Sequence, residues 1–279
     1  MEQWQNWTDE DARMYISVPS DYDDKYSRGV LGVIAGSTQY PGAAVLVCEG
    51  AMRTGVGMIR YLGPKNARHL VLTHRPEVVV QDGKVQAWTI GSGLDANQIS
   101  WRRELAIRQK LDQKIPVVLD AGGLSLLPRM KGPILITPHY RELCTLLNST
   151  GANVSEIDIR SEPKKWARFA ADALQVTVLL KGNTSYVASK DREVELPSAP
   201  TWLATAGTGD VLAGILGALL ATHAKEIAEQ PEFLSGLAAT ASLIHARAAD
   251  SASNGGPITA LGVAHAIPKV ISDLLHTRL

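Results

Sequence analysis

Cysteine is scarce in this chain: Cys48 and Cys144 are the two among 279 residues. They lie far apart, each in an apolar run. That reads as two buried free thiols and gives no disulfide framework. Net charge is lacking too, since 28 basic residues balance 28 acidic ones. A nucleic-acid binder usually shows a basic excess or stripe, so that class is not expected. A small anion needs only a local site and stays open. No apolar run is long enough to span a membrane; Val211 to Ala221 falls far short. The N-terminus, MEQWQNWTDEDARMY, is acidic and lacks the positive-then-apolar order of a secretory signal. The expectation is a cytoplasmic protein without membrane contact. Linkers, internal repeats and low-complexity stretches are missing from the sequence as well. With 45% apolar and 20% charged residues the composition is that of a globular protein. Its length is near the upper limit for one core, so a single domain over 1–279 is expected.

What is present is alternation. VLGVIAGS (30–37) reads as a buried strand ending in a Gly-Ser turn, and AAVLVCEGAMRTG after it has helical spacing. VQAWTIGSG (85–93) is a strand ending in glycines, with NQISWRRELAIRQKLDQ as the helix after it. IPVVLDAGG, PILITPHYREL and VTVLLKGN repeat the theme, and TSYVASKDREVEL (184–196) reads as a hairpin turning at Lys190 and Asp191. Strands alternating with helices imply an α/β sandwich with a mostly parallel central sheet. Ligands of such folds sit beyond the carboxyl ends of the strands. Gly36-Ser37, Gly91-Ser92-Gly93, Asp120, Thr137-Pro138-His139 and Lys181-Gly182 all fall there, and together suggest one wide site for a large polar ligand.

The stretch ATAGTGDVLAGILGALLA (204–221) concentrates the chemistry. Val211, Leu212, Ile215, Leu216, Leu219 and Leu220 make one apolar stripe of a helix, while Gly214, Gly217 and Ala218 permit close approach of another backbone. Gly207, Thr208 and Gly209 could present the helix's free N–H groups to an anion. Asp210 would then be within reach to take a proton from an attacking hydroxyl. The competing reading is a cap, with Thr208 or Asp210 accepting those N–H bonds. Gly91 to Ala96 fits the loose G-x-G-x-x-A dinucleotide pattern, with Asp120 ending the next strand. Pro138 is expected to open a helix, which puts His139 and Glu142 on one side; they are either a polar helix start or part of the crevice. Lys181 is either a solvated strand end or a phosphate partner.

As a set, GVIAGSTQYPGAA, IGSGL, VVLDAGGL, LITPHYREL, LLKGN and ATAGTGDVLAGILGALLA resemble the NAD(P)H-hydrate dehydratases of the ribokinase-like superfamily, from about Lys25 to Leu275. The resemblance implies a three-layer α-β-α fold and repair of hydrated nicotinamide cofactor in a nucleotide- and Mg²⁺-dependent dehydration, with ADP favoured over ATP. It implies hydrate contacts at Ala43, Gly93, His139 and Asp210, with Asp210 as general base. Lys181, Gly182, Asn183, Thr184, Ser185 and Gly209 would hold the AMP portion. Gly207, Thr208 and Gly209 would form the anion hole, and Glu142 would stand at the Mg²⁺-linked position. It also implies a stand-alone dehydratase, an NAD(P)H-hydrate epimerase in the same pathway and a homotetramer. The chain departs from the usual TPHxGE at Tyr140-Arg141, and it carries Ser92 and Asp95 where Pro and Gly are common. Three other readings are a vitamin-type or sugar kinase of the superfamily, a Rossmann dehydrogenase using Gly91 to Ala96, and a non-catalytic nucleotide-binding module. The apolar helix from Leu234 to Ala249 could pack on the sheet or on another subunit.

Overall fold

The computed structural model describes residues 4–95, 101–129 and 132–276. Among these, one sheet contains β1 (Gln5–Asn6), β2 (Val30–Ile34), β3 (Met58–Tyr61), β4 (Ala87–Ile90), β5 (Val117–Leu119), β6 (Ile134–Ile136), β7 (Thr177–Leu180), β8 (Tyr186–Ala188) and β9 (Glu193–Glu195). Their spatial order is β3-β2-β4-β5-β6-β7-β8-β9-β1. The pairs from β3 through β7 are all parallel. The hairpin β8–β9 adds to β7 in antiparallel fashion, and Ala188 pairs with Glu193, so its turn holds Lys190 and Asp191 as expected.

Successive residues of a strand point to opposite faces, and here both faces are dry. Leu31, Val33, Val118, Leu135 and Leu179 enter one apolar cluster, whereas Val30, Ile34, Ile90, Leu119, Ile136 and Leu180 enter another. This is why the strands read as continuous apolar runs instead of alternating ones. The first cluster is closed by helices Pro41–Thr54, Thr208–Thr222, Phe233–Ser253 and Ala260–His276. The second is closed by Trp101–Leu111, Tyr140–Ser149 and Pro163–Leu174. Three layers result, as the sequence implies. The part of the expected helix at 97–100 lies outside the described residues.

The Thr208–Thr222 helix is drawn in by its small residues. A side chain at 214 would strike the Val47 backbone, and one at 217 would strike Leu31 and Thr89. The Phe233–Ser253 helix packs against this helix, against Ala260–His276 and against β7 and β8. Its apolar length is therefore used within the chain, so the subunit-contact reading for Leu234 to Ala249 gives way to the sheet-packing one. Cys48 is buried, but Cys144 is only half-buried; both are free.

Candidate active site

Parallel β2, β4, β5, β6 and β7 bring their carboxyl ends to one edge of the sheet. The chain leaves β2 toward β3 on one side and returns to β4 on the other, so the edge contains a topological switch point, where open α/β sheets bind ligands. The five strand-end motifs meet there.

At the centre is Asp120, which is only 3% exposed. Its Oδ1 accepts from Lys181 Nζ at 2.7 Å and from Thr137 Oγ1 at 2.7 Å; its Oδ2 accepts from Ser92 Oγ at 2.9 Å. Burial alone would raise its carboxyl, but the Lys181 charge and these three donors hold it below the ordinary range. Burial likewise disfavours the Lys181 ammonium, and the Asp120 and Glu142 charges outweigh that, so it stays protonated. Lys181 is thus no solvated strand end. Its Nζ is 3.9 Å from Glu142 Oε2 and borders Gly209.

Neither cap reading of the glycine loop survives. The N-cap is Gly207 at φ 89°, in the left-handed region that glycine alone enters at no cost, and it has no side chain to offer. The Thr208 hydroxyl turns back toward the Leu203 and Thr205 carbonyls, each 2.9 Å away. The helix start therefore keeps N–H groups and a partial positive charge for an anion. Asp210, in the first turn, is partly buried. Desolvation and the nearby Asp120 charge push its carboxyl up to about 7, against the opposing pull of Lys181 and a Ser92 hydrogen bond. That value suits a general base at neutral pH.

His139 is the N-cap of Tyr140–Ser149, so the helix opens two residues after Pro138 and not at it. Its Nδ1 accepts the Glu142 N–H at 3.1 Å, and Glu142 Oε2 accepts the His139 N–H at 2.8 Å. Both expected readings hold together: the pair is a reciprocal cap, and it stands at the crevice, because His139 bridges in parallel to Lys181. Gly93, at φ 67°, lies where a Cβ would come within 2.6 Å of the Ala43 Cβ. The two proposed hydrate contacts are therefore neighbours. Gly93 allows close packing against the Pro41–Thr54 helix; Ala96, the last residue of the dinucleotide pattern, lies outside the described residues. The loop from Gly182 to Ser185 is braced from behind: Asn183 Nδ2 donates to the Ala199 carbonyl at 2.8 Å, and the Thr184 and Ser198 hydroxyls are 2.8 Å apart. The departures from TPHxGE are also placed. Tyr140 lies under the Arg160 guanidinium, 4.7 Å from it, and Arg141 pairs with Glu156 at 3.2 Å.

No group of three or more His, Cys, Asp or Glu side chains gathers as a metal cage among the described residues. Mg²⁺ needs less, since one or two carboxylates with substrate phosphates and water commonly hold it. Glu142 fits that mode: its side chain is 23% exposed, and its Oε1 has only a loose 3.6 Å approach from His139 Nε2.

Sequence reasoning missed His245. It is 7% exposed on the Phe233–Ser253 helix, bonds the Thr208 backbone, and keeps an Nε2 with no partner among the described residues. Desolvation lowers its imidazole to about 4. A lone histidine in an otherwise apolar stretch was the available signal.

Compared with known proteins, the chain matches the NAD(P)H-hydrate dehydratase family over residues 31–269. It belongs to that family. It is 42% identical over 218 residues to the bifunctional NAD(P)H-hydrate repair enzyme Nnr of Mycobacterium tuberculosis, covering 74% of this chain and 43% of that one. The ADP-dependent (S)-NAD(P)H-hydrate dehydratase of Bacillus subtilis is 32% identical over 232 residues, covering 78% and 81%. A crystal structure of the ADP/ATP-dependent dehydratase from Bacillus subtilis, co-crystallized with ATP/Mg²⁺, superposes with a TM-score of 0.84 at 26% identity, covering 98% and 100%. The fold is ribokinase-like, as the motifs imply. The chain spans about half the length of the first curated relatives it matches.

Proposed function

We propose that this chain dehydrates the S form of NAD(P)H hydrate at the expense of a nucleotide, ADP in preference to ATP, and so returns the repaired cofactor. The observation that carries this reading is Asp210: a partly buried carboxylate raised to about 7, in the first turn of a helix whose N-cap is glycine, with Lys181 alongside. Family membership, and relatives named for this activity, support it.

Hydroxide is a poor leaving group, so the hydroxyl on ring carbon six must first be made a better one. Asp210 accepts its proton while its oxygen bonds to the terminal phosphorus of the nucleotide. The bond from that phosphorus to the bridging oxygen breaks and, from ADP, releases AMP. The ring nitrogen lone pair then expels phosphate, and the adjacent carbon gives up a proton to that departing phosphate, which restores the double bond. Lys181 and the N–H groups at Gly207 to Gly209 stabilise charge on the phosphoryl oxygens throughout. Asp120 keeps Lys181 in place, and its charge adds to desolvation in holding Asp210 basic. Ala43, Gly93 and His139 position the ring, and the braced loop from Lys181 to Ser185 holds the AMP portion. Mg²⁺, when bound beside Glu142, supplies further positive charge to the phosphates. The reading extends to a single domain over 1–279, a cytoplasmic homotetramer, and an NAD(P)H-hydrate epimerase acting in the same pathway.

The test is incubation of the protein with hydrated NADH, Mg²⁺ and either ADP or ATP, followed at the absorbance of the reduced ring. Recovery with ADP, accompanied by AMP and phosphate, is expected. No recovery with either nucleotide refutes the dehydratase reading, and a stable phosphorylated product turns it toward the kinases of the superfamily.

A further inference from the structure

The residues placed so far against the hydrate concern its nicotinamide ring, and the other half of a dinucleotide needs a place of its own. Next to the crevice is a recess of about 500 Å³ between the segment after β5 and the Tyr140–Ser149 helix. Glu142 belongs to both: it lines the recess and stands 3.9 Å from Lys181. We propose that this recess receives the adenosine half of the hydrate, with Arg141 holding a 2′-phosphate, so that the chain favours the hydrate of NADPH over that of NADH. The inference rests on the dehydratase reading above for the identity of the substrate.

Size and lining agree with this. About 300–1,000 Å³ is usual for a small-molecule pocket. Leu124 and Leu146 give apolar wall for a purine, and Ser125, Thr145 and Ser149 supply hydroxyls for ribose. Among the described residues that line it, Arg141 is the one cation. Its side chain is 80% exposed, and its Nε donates to Glu156 Oε2 at 3.2 Å. Glu156 is shared: its Oε1 also accepts from Arg160 Nε at 3.0 Å and Nη2 at 2.7 Å. Two guanidinium charges thus face one carboxylate, leaving net positive charge at the rim. The carboxylate in the recess wall, Glu142, accepts the His139 N–H at 2.8 Å and stands 3.9 Å from Lys181, whose charge it faces. A planar guanidinium with four N–H donors beyond its Nε matches phosphate in the two-pronged way lysine cannot. The nucleotide co-substrate is assigned to the loop after β7, none of whose residues lines the recess.

The experiment compares kcat/KM for hydrated NADPH and hydrated NADH in the wild type and in Arg141→Ala. We expect the wild-type ratio to favour the NADPH form about tenfold and the variant ratio to fall to about one, the size of one two-pronged charge-assisted contact. A ratio near one in the wild type, or a ratio unmoved by the substitution, overturns the inference while leaving the dehydratase reading intact. Should neither hydrate be turned over, the dehydratase reading fails by itself. Calorimetry then decides the recess separately: with ADP saturating, adenosine 2′,5′-bisphosphate should bind the wild type about tenfold tighter than AMP, and Arg141→Ala should abolish the difference. Equal binding of the two compounds to the wild type refutes the site.

Discussion

Replacing Asp210 with Asn should stabilise this protein and silence it together. The carboxyl is raised from an ordinary 3.8 to about 7, chiefly by desolvation. A group whose folded pKa is raised contributes its full stability below about 3.8 and loses it as pH rises through about 7. At pH 8.5 the wild type therefore folds against an ionised, partly desolvated carboxylate. The full shift corresponds to an upper limit of about 4 kcal/mol. Solvent still reaches the side chain, so about half, ~2 kcal/mol, is the working figure. The amide forgoes the favourable placement of a negative charge at a helix start, worth ~0.5 kcal/mol, which is the smaller effect. Asp210→Asn should thus melt about 3 °C higher than wild type at pH 8.5, at roughly 2 °C per kcal/mol for a chain of this size. At pH 5.5 the folded carboxyl is protonated but the unfolded one is still ionised, so about half of the cost remains and the melting difference should be correspondingly smaller, closing only near the ordinary 3.8. Turnover should fall by ~10²–10⁴, the usual range for removal of a general base. Thermal melts at the two pH values and the ring-absorbance assay give all three numbers. A variant with near-normal turnover, or one whose melting difference is the same at both pH values, refutes the reasoning.

Much of this site was legible because its backbone chemistry is local. A strand end followed by Gly, Asp or Lys can be seen in the sequence, and a parallel sheet puts all such ends on one edge. What the sequence could not show is which ends touch. Asp120, Thr137 and Lys181 come from β5, β6 and β7 and meet through adjacency in the sheet, which no spacing reveals; Ser92, after β4, completes the set. The same adjacency turned Lys181 from an ordinary strand end into half of a buried ion pair. The cap reading of Thr208 failed for a related reason. Its hydroxyl found carbonyls in the preceding turn at Leu203 and Thr205, a segment whose irregular path carried no periodic signal. The site carries a cost: Asp210 is held basic by desolvation first and by the Asp120 charge second. That cost is visible only once burial and distance are known.

His139→Asn keeps a capping side chain, so the melting temperature should hold within about 2 °C while KM for the hydrate rises; calorimetry should find ADP affinity little changed, and equal loss of both would move His139 to a structural role. Asp120→Asn leaves the Lys181 charge buried without its partner and should cost ~3–5 kcal/mol in urea unfolding. Asp120→Asn with Lys181→Met should restore much of that stability but no turnover, whereas full additivity of the two losses would show that the pair is not coupled. The last prediction concerns His245, whose imidazole is lowered from 6.5 to about 4, first by desolvation. The unfolded chain takes up this proton more readily than the folded one. Stability from the neutral ring is therefore complete above about 6.5 and lost as pH falls toward 4, up to ~3 kcal/mol. Asp120 does not confuse the window, because its lowered carboxyl titrates below the ordinary 3.8. Asp210 works the other way, gaining stability as it is protonated below about 7, but it does so equally with or without His245. Subtracting the unfolding free energy of His245→Gln from that of wild type at each pH isolates the imidazole. The difference should shrink by up to ~3 kcal/mol between pH 7 and pH 4, and a difference that stays flat would mean that the buried ring is not neutral at the start.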